Sequence, residues 1–208
     1  MRDDGTVRIR RVGASALLIE VDDPRAWFAE LWRRRKAGEV VASEIVPGAR
    51  TVLLDGVPDP DALAARLPDW APGAGAADDS GALVEVPVTY GGPDLADVAD
   101  LWGTTERGVV ERLTQTEFRV AFCGFAPGFA YLAGLPPELA VPRLPAPRPA
   151  VPAGSVGLAA GYAGIYPTAS PGGWRLVGRT TVRLFDVHRD PPALLPPGTR
   201  VRLVEAPS

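Results

Sequence analysis

Beyond residue 117 the chain never runs far without a glycine or a proline. The 208 residues hold 23 of each, without period, and proline concentrates after Pro127. Proline fixes φ and removes a backbone donor, while glycine frees the chain to turn. This half therefore reads as short strands separated by turns, a loop-rich β domain rather than a disordered tail. EFRVAFCGF, from Glu117, is one strand. PRPAVPAGSVGLAAGYAGIYP contains at least one more, and WRLVGRT, VRLFD and RVRLV follow. Many short strands with Gly/Pro turns predict a β-barrel or sandwich.

The first third has a different rhythm. Residues 6–21 give two short strands around Gly13. Asp23-Pro24 opens a helix, with the aspartate as N-cap and proline at the first helical position. Trp27, Phe28, Leu31 and Trp32 form its apolar stripe, and Arg33 to Lys36 complement the dipole in a solvated last turn before Gly38. Residues 39–46 and 49–55 read as strands joined at Pro47-Gly48, and Asp59-Pro60 opens a second helix that stops before Pro68. The order β-β-α-β-β-α predicts a small α+β sandwich with helices on one face of an antiparallel sheet. Residues 71–81, APGAGAADDSG, read as a linker, which divides the chain into domains at 1–75 and 82–208. The second domain opens with a strand over 82–90 and short helices near 93–102 and 105–113, the latter capped by Thr104 or Thr105.

Composition narrows the functional classes. A net charge of −3 and dispersed arginines give no nucleic-acid or membrane-surface footprint. The two close helices are no DNA reader, because the acidic stretch at 93–100 would repel phosphate. Cys123 is the single cysteine, so no internal disulfide forms, and no apolar leader or membrane span is visible. A cytoplasmic protein is expected.

Two segments carry the chemistry. In FCGFAPGFAYL, from Phe122, aromatics alternate with glycine and proline. Phe125, Phe129 and Tyr131, with Pro127 and Gly128 at the turn, would line an apolar pocket with one polar tip, or would pack inward across a hairpin. The second segment runs from Pro142 to Thr180. Arg143 and Arg148 sit on a proline-stiffened strap, suited to hold a carboxylate or phosphate bidentately. The bland reading of each arginine is a surface salt bridge of little worth. Gly154 and Ser155 offer a turn with a hydroxyl and free N–H groups, and Arg179 and Thr180 add a cation and a hydroxyl. No phosphate-binding GxxxxGK[ST], no CxxC or HExxH and no GxSxG occurs. His188 reads as a surface-loop residue and Cys123 as an inert core thiol. The chain shows no complete active site of its own and no metal site.

GFAPGFAYLAGL, PRLPAPRPAVPAGSVGLAAG, GIYPTASPGGWRLVGRT and LFDVHRDPPALLPPGTRVR together resemble one family over residues 6–205. It is the family of the 5-oxoprolinase B subunit, also called the sporulation kinase-inhibitor or allophanate hydrolase subunit 1 family. The resemblance implies an α+β fold, a small N-terminal sandwich followed by a cyclophilin-like β-barrel. It implies a partner, the C-type subunit, with a related barrel, the pair being similar to the two halves of a urea carboxylase carboxyltransferase domain. With an A-type subunit, such complexes open 5-oxo-L-proline to glutamate using ATP. The family's other activities, inhibition of a sporulation histidine kinase and hydrolysis of allophanate or another amide, stay open as alternatives. Carried onto this chain, the resemblance makes Arg143, Arg148 and Arg179 candidates for charge stabilisation. Phe125, Pro127, Gly128, Phe129, Tyr131, Gly154, Ser155, Tyr162, Tyr166, Ser170, Gly172, Gly173, Trp174 and Thr180 become candidates for holding a lactam or amide substrate. Pro171-Gly172-Gly173 is expected to form a tight turn that sets Trp174 against the barrel. Two positions depart from the family: Tyr162-Ala163 stands where a Gln-Thr pair is usual, and Leu113-Thr114 where a His-Thr pair is common. Both exchanges remove polar groups able to bind or carry protons.

Overall fold

The computed structural model describes residues 7–70, 72 and 83–207. The expected linker, apart from Pro72, and the domain limits at 75 and 82 lie outside the described residues. Contacts divide the chain into two compact units, Met1–Ser80 and Gly81–Ser208.

The first unit follows the β-β-α-β-β-α order. Strands β1 (Arg8–Val12), β2 (Ala16–Glu20), β3 (Glu44–Pro47) and β4 (Thr51–Asp55) form an antiparallel sheet in the order β1-β2-β4-β3. Alternation along the strands puts Leu17, Ile19, Ile45, Val52 and Leu54 on one buried face. Helices α1 (Pro24–Lys36) and α2 (Pro60–Arg66) cover that face with Trp27, Leu31 and Leu63. Both helices start as their sequences dictate: Asp23 Oδ1 accepts from the backbone N–H of Arg25 and Ala26 at 3.1 Å, and Asp59 Oδ1 accepts from Ala62 at 3.0 Å. The basic end of α1 is more engaged than a solvated end. Arg33 and Arg34 both grip Glu30, at 2.8 and 2.6 Å, and Arg34 also stacks 4.0 Å over Trp70.

The second unit is a closed seven-stranded barrel. Its strands are β5 (Leu83–Tyr90), β6 (Glu117–Cys123), β7 (Ala130–Ala133), β9 (Ser155–Ala159), β10 (Tyr162–Ile165), β12 (Arg175–Arg179) and β13 (Arg200–Glu205). They close in the order β10-β7-β6-β13-β5-β12-β9. Every pairing is antiparallel except β13 with β5. Two short strands, β8 (Arg148–Val151) and β11 (Ser170–Gly172), pair outside the barrel. Helices α3 (Leu95–Trp102) and α4 (Glu106–Gln115) follow β5, and Thr105 caps α4 by accepting from Gly108 N at 3.1 Å. The main core collects Val86, Phe118, Val120, Leu132, Val156, Leu158, Ile165 and Val177 with Val98 and Val109 of the helices.

Two strand expectations are corrected. Residues 39–43 are not in β3, although Val40 and Ala42 are buried. Their would-be partner β4 ends at Asp55, opposite Glu44, and Gly56 turns the chain away at φ +65°. VRLFD forms no ladder either, and Phe185 makes only an isolated bridge to Ala193. The barrel closes through β13 instead, so this segment has no neighbouring strand to join. PRPAVPAGSVGLAAGYAGIYP, in turn, holds three strands, β8, β9 and β10.

Candidate functional site

The wall made by β7, β10, β9 and β12 is used on both faces. Leu132, Val156, Leu158, Ala163, Ile165 and Val177 point into the main core. The residues between them face the other way. Register fixes who shares that second face: Tyr131 lies opposite Gly164, Gly164 opposite Gly157, and Gly157 opposite Leu176. Two of these positions are glycines for a steric reason. A Cβ at Gly164 would stand 2.9 Å from Trp174 and 3.0 Å from Phe129, and one at Gly157 would stand 3.0 Å from Trp174. The barrel wall is thus thinned to admit two rings.

An aromatic cluster fills the space. Phe129 meets Trp174, Tyr166 and Tyr131 at 5.4, 5.3 and 5.1 Å between ring centroids. The first two contacts are edge-to-face, the geometry that ring quadrupoles favour. Val151, Ala159 and Leu176 complete this second core, with Tyr131 and Tyr162 partly buried at its border. Phe122, from the far end of β6, stacks on Tyr131 at 4.2 Å.

At the rim, the 124–129 turn holds Phe125 at φ +69° and 62% exposed. A bulky residue rarely accepts that backbone conformation. Its ring nevertheless stays edge-on to Phe129 at 5.3 Å and Tyr166 at 6.2 Å. Pro127 is exposed beside it. Gly128, at φ +84°, lies against Leu184 and Phe185, where a Cβ would come within 2.7 Å of Phe185 Cβ.

The polar candidates fall into two groups. Ser155 and Arg179 are opposite each other across β9 and β12, and Ser155 alternates with core-facing Val156, so both lie on the face that carries Gly157. Gly154 N–H donates to Tyr166 O at 2.7 Å, Thr180 N–H donates to Gly154 O at 2.8 Å, and Thr180 Oγ1 accepts from Val182 N at 3.2 Å. Ser155 and Thr180 are buried while Arg179 is exposed. The other group surrounds Tyr166. Burial raises its hydroxyl pKa, against a backbone hydrogen bond from Trp174 and the charges of Arg143 and Arg148, all of which lower it. A Cβ at Gly172 would land on that hydroxyl. The expected tight turn at Pro171-Gly172-Gly173 is corrected: Ser170–Gly172 are extended as β11 against β8, and the chain leaves the strand only at Gly173. Gly173 O accepts from Leu144 N at 2.8 Å, and Trp174 is set against the barrel at 5% exposure. Ser170 is peripheral, its hydroxyl 3.5 Å from Thr168 O.

The three arginines differ in their commitments. Arg143 and Arg179 are exposed and make no hydrogen bond or ion pair among the described residues. Arg148 is engaged: Nη2 donates to Asp94 Oδ1 at 2.6 Å and Nη1 to Trp174 O at 3.4 Å. Asp94 is invisible as a site residue in the sequence, because a lone aspartate before a helix reads as a cap. Here its side chain caps nothing. Gly157, Gly164 and Phe122 likewise join the site only through the fold, although the glycine spacing of GLAAGYAG is visible once the strands are known.

The two departures from the family pattern separate. Ala163 and Leu113 are fully buried in the main core, so their exchange bears on packing. Tyr162 alone borders the aromatic face, edge-on to Tyr131 at 5.8 Å and Phe122 at 5.6 Å. Cys123 is half-buried against the main core, its thiol pushed up to about 11 by burial. His188 is exposed, its N–H held by Asp186 Oδ1. No described helix is long and apolar enough to cross a membrane.

Comparison with known proteins places this architecture. Residues 7–195 match the family model of the carboxyltransferase domain, subdomain C and D. The chain is 41% identical over 206 residues to the B subunit of 5-oxoprolinase from Escherichia coli O157:H7, covering 93% of both chains. It is 39% identical over 182 residues to the B subunit of 5-oxoprolinase from Haemophilus influenzae, covering 84% of this chain and 85% of that one. Among solved structures, TTHA0988 superposes with a TM-score of 0.74 at 34% identity, and this chain spans 40% of its length. PH0987 from Pyrococcus horikoshii superposes at 0.58 with 34% identity over 95% of this chain and 97% of that one. The urea amidolyase of K. lactis, at 20% identity and a TM-score of 0.68, shares the fold over 15% of its length. The chain therefore belongs to the carboxyltransferase-domain family, subdomain C and D, and within it to the B-type 5-oxoprolinase subunits.

Proposed function

We propose that this chain is the B-type component of a cytoplasmic, ATP-dependent 5-oxoprolinase that opens 5-oxo-L-proline to L-glutamate together with A-type and C-type partner subunits. The observation that carries the reading is the 41% identity to the B subunit of a 5-oxoprolinase across 93% of both chains.

The aromatic face suits a small flat ring with one charged group. Phe125 and Tyr131 would pack the lactam ring, and Phe129, Tyr166 and Trp174 form the floor beneath them. Arg143 and Arg179, with no competing acid among the described residues, would neutralise the substrate carboxylate and the negative charge that develops on the lactam oxygen. Gly154, Ser155 and Thr180 would shape the Arg179 end, and Gly172, Gly173 and Ser170 the opposite edge. Arg148 belongs to the supporting layer. The described helix starts in the barrel unit carry acid, Asp94 and Asp97 on α3 and Glu106 on α4. They make poor phosphate cradles, so we assign the nucleotide to the assembled complex. A barrel wall with half a site on its surface is inactive alone and needs a partner surface to exclude water.

The test is reconstitution. The chain co-expressed with its C-type partner and mixed with the A-type one should release ADP and glutamate in a 5-oxo-L-proline-dependent manner, and omission of this chain should abolish both. Unchanged product formation without it would sink the reading.

A further inference from the structure

Asp94 is one of three buried polar or charged residues among those described, 4% exposed at the start of α3. Its carboxylate is divided between two distant segments. Oδ1 accepts from Arg148 Nη2 at 2.6 Å, and Oδ2 accepts from Leu176 N–H at 2.6 Å. Its own N–H donates to Leu176 O at 3.0 Å. Arg148 then reaches Trp174 O, and Leu144 N–H reaches Gly173 O at 2.8 Å. A parallel brace lies outside: Arg175 donates to Asp97 Oδ2 and to Pro142 O, both at 3.0 Å. The backbone of Gly173, Trp174 and Leu176 and the side chain of Arg175 are thus each tied to the start of α3 or to the proline strap.

We propose that Asp94 is a positioning residue of the site, acting through Arg148 and the Leu176 backbone to hold the Trp174 indole in the wall beneath the substrate. This rests on the reading that the aromatic face binds the lactam. The buried Asp94 carboxylate contacts both the strap, through Arg148, and β12, through the Leu176 N–H. A neutral amide at 94 would keep an acceptor for one of them and present N–H to the other, where Arg148 also offers only donors. Lysine at 148 would keep the charge but lose the fork that spans Asp94 and Trp174 O. Small displacements of a binding wall cost substrate affinity and alignment disproportionately.

The test uses the full chain in its complex, with 5-fluorotryptophan incorporated and the Trp174 fluorine resonance assigned from Trp174→Phe. Asp94→Asn and Arg148→Lys should each shift that resonance and raise KM for 5-oxo-L-proline roughly tenfold or more, with a smaller change in kcat. The double variant should be little worse than either single one, because the two residues act as a unit. A Trp174 resonance unmoved in folded Arg148→Lys overturns the proposal, as does an unchanged KM in an active complex. If Asp94→Asn does not fold, Arg148→Lys and Arg148→Gln decide by the same readouts. If the wild-type complex makes no glutamate, the function reading fails, and the fluorine spectrum alone still decides whether Asp94 and Arg148 set the indole.

Discussion

At the scale of single residues, small side chains matter as much as reactive ones. Gly164 has no room for a methyl group, which would be pressed between Trp174 and Phe129. Gly164→Ala is expected to lose about 1–3 kcal/mol by overpacking, readable as a lower denaturation midpoint at constant m-value. Tyr90 shows the opposite situation. Its buried hydroxyl has no partner among the described residues, and burial, then the charge of Glu205, push its pKa upward. Tyr90→Phe should leave stability unchanged or raise it by about 1 kcal/mol. A clear loss in thermal denaturation would reveal a hydrogen bond made by that hydroxyl and contradict the expectation. Glu30 tests electrostatics. Hydrogen bonds from Arg33 and then Arg34 hold its carboxyl down near 2, against some opposition from burial. A depressed folded pKa stabilises above the unfolded value and is lost as pH falls through the folded one. Glu30→Gln should therefore cost ~1 kcal/mol at neutral pH, and the deficit should shrink between pH about 5 and about 2. Residue chemistry was legible where it is local: the aromatic cluster and the Cys123 thiol, packed against the core and pushed up by burial, could be read directly, whereas Pro171-Gly172 reads as a turn and is extended in β11 because β8 lies beside it. Asp94 could not be read, because its partners lie 54 and 82 positions away.

At the scale of elements, caps and breaks carry most of the legible information. Asp23-Pro24, Asp59-Pro60 and Thr105 each open a helix where the sequence indicates, since an N-cap satisfies donors within three residues of itself. Asp23→Ala should cost ~1 kcal/mol in unfolding free energy, with Asp23→Asn costing much less. Strands were less legible because a strand needs a neighbour. VRLFD has the right alternation and no ladder, and Val40 and Ala42 bury their side chains beyond the end of β4. In the glycine-rich run, β9 and β10 hide because both of their faces are buried, so no polar alternation marks them.

At the scale of the whole molecule, the chain closes its barrel with its last described strand. β13 lies between β5 and β6, parallel to one and antiparallel to the other. Nothing in a local reading of RVRLV indicates that parallel closure. Truncation after Gly198 should open the barrel and abolish its cooperative unfolding, seen as lost near-ultraviolet dichroism with exposed apolar surface. Closure bears on the proposed site because β7, β10, β9 and β12, the thinned wall, are four neighbouring strands of the ring that β13 completes. That wall, with Arg143 and Arg179 at its rim, is where we place this chain's share of lactam opening. The most direct measurement is 5-oxo-L-proline-dependent glutamate formation by the assembled complex carrying Arg143→Ala and Arg179→Ala together, with assembly verified by co-purification. A fall in kcat/KM of roughly 10²–10³ is expected. An intact complex that keeps the wild-type kcat/KM would contradict it.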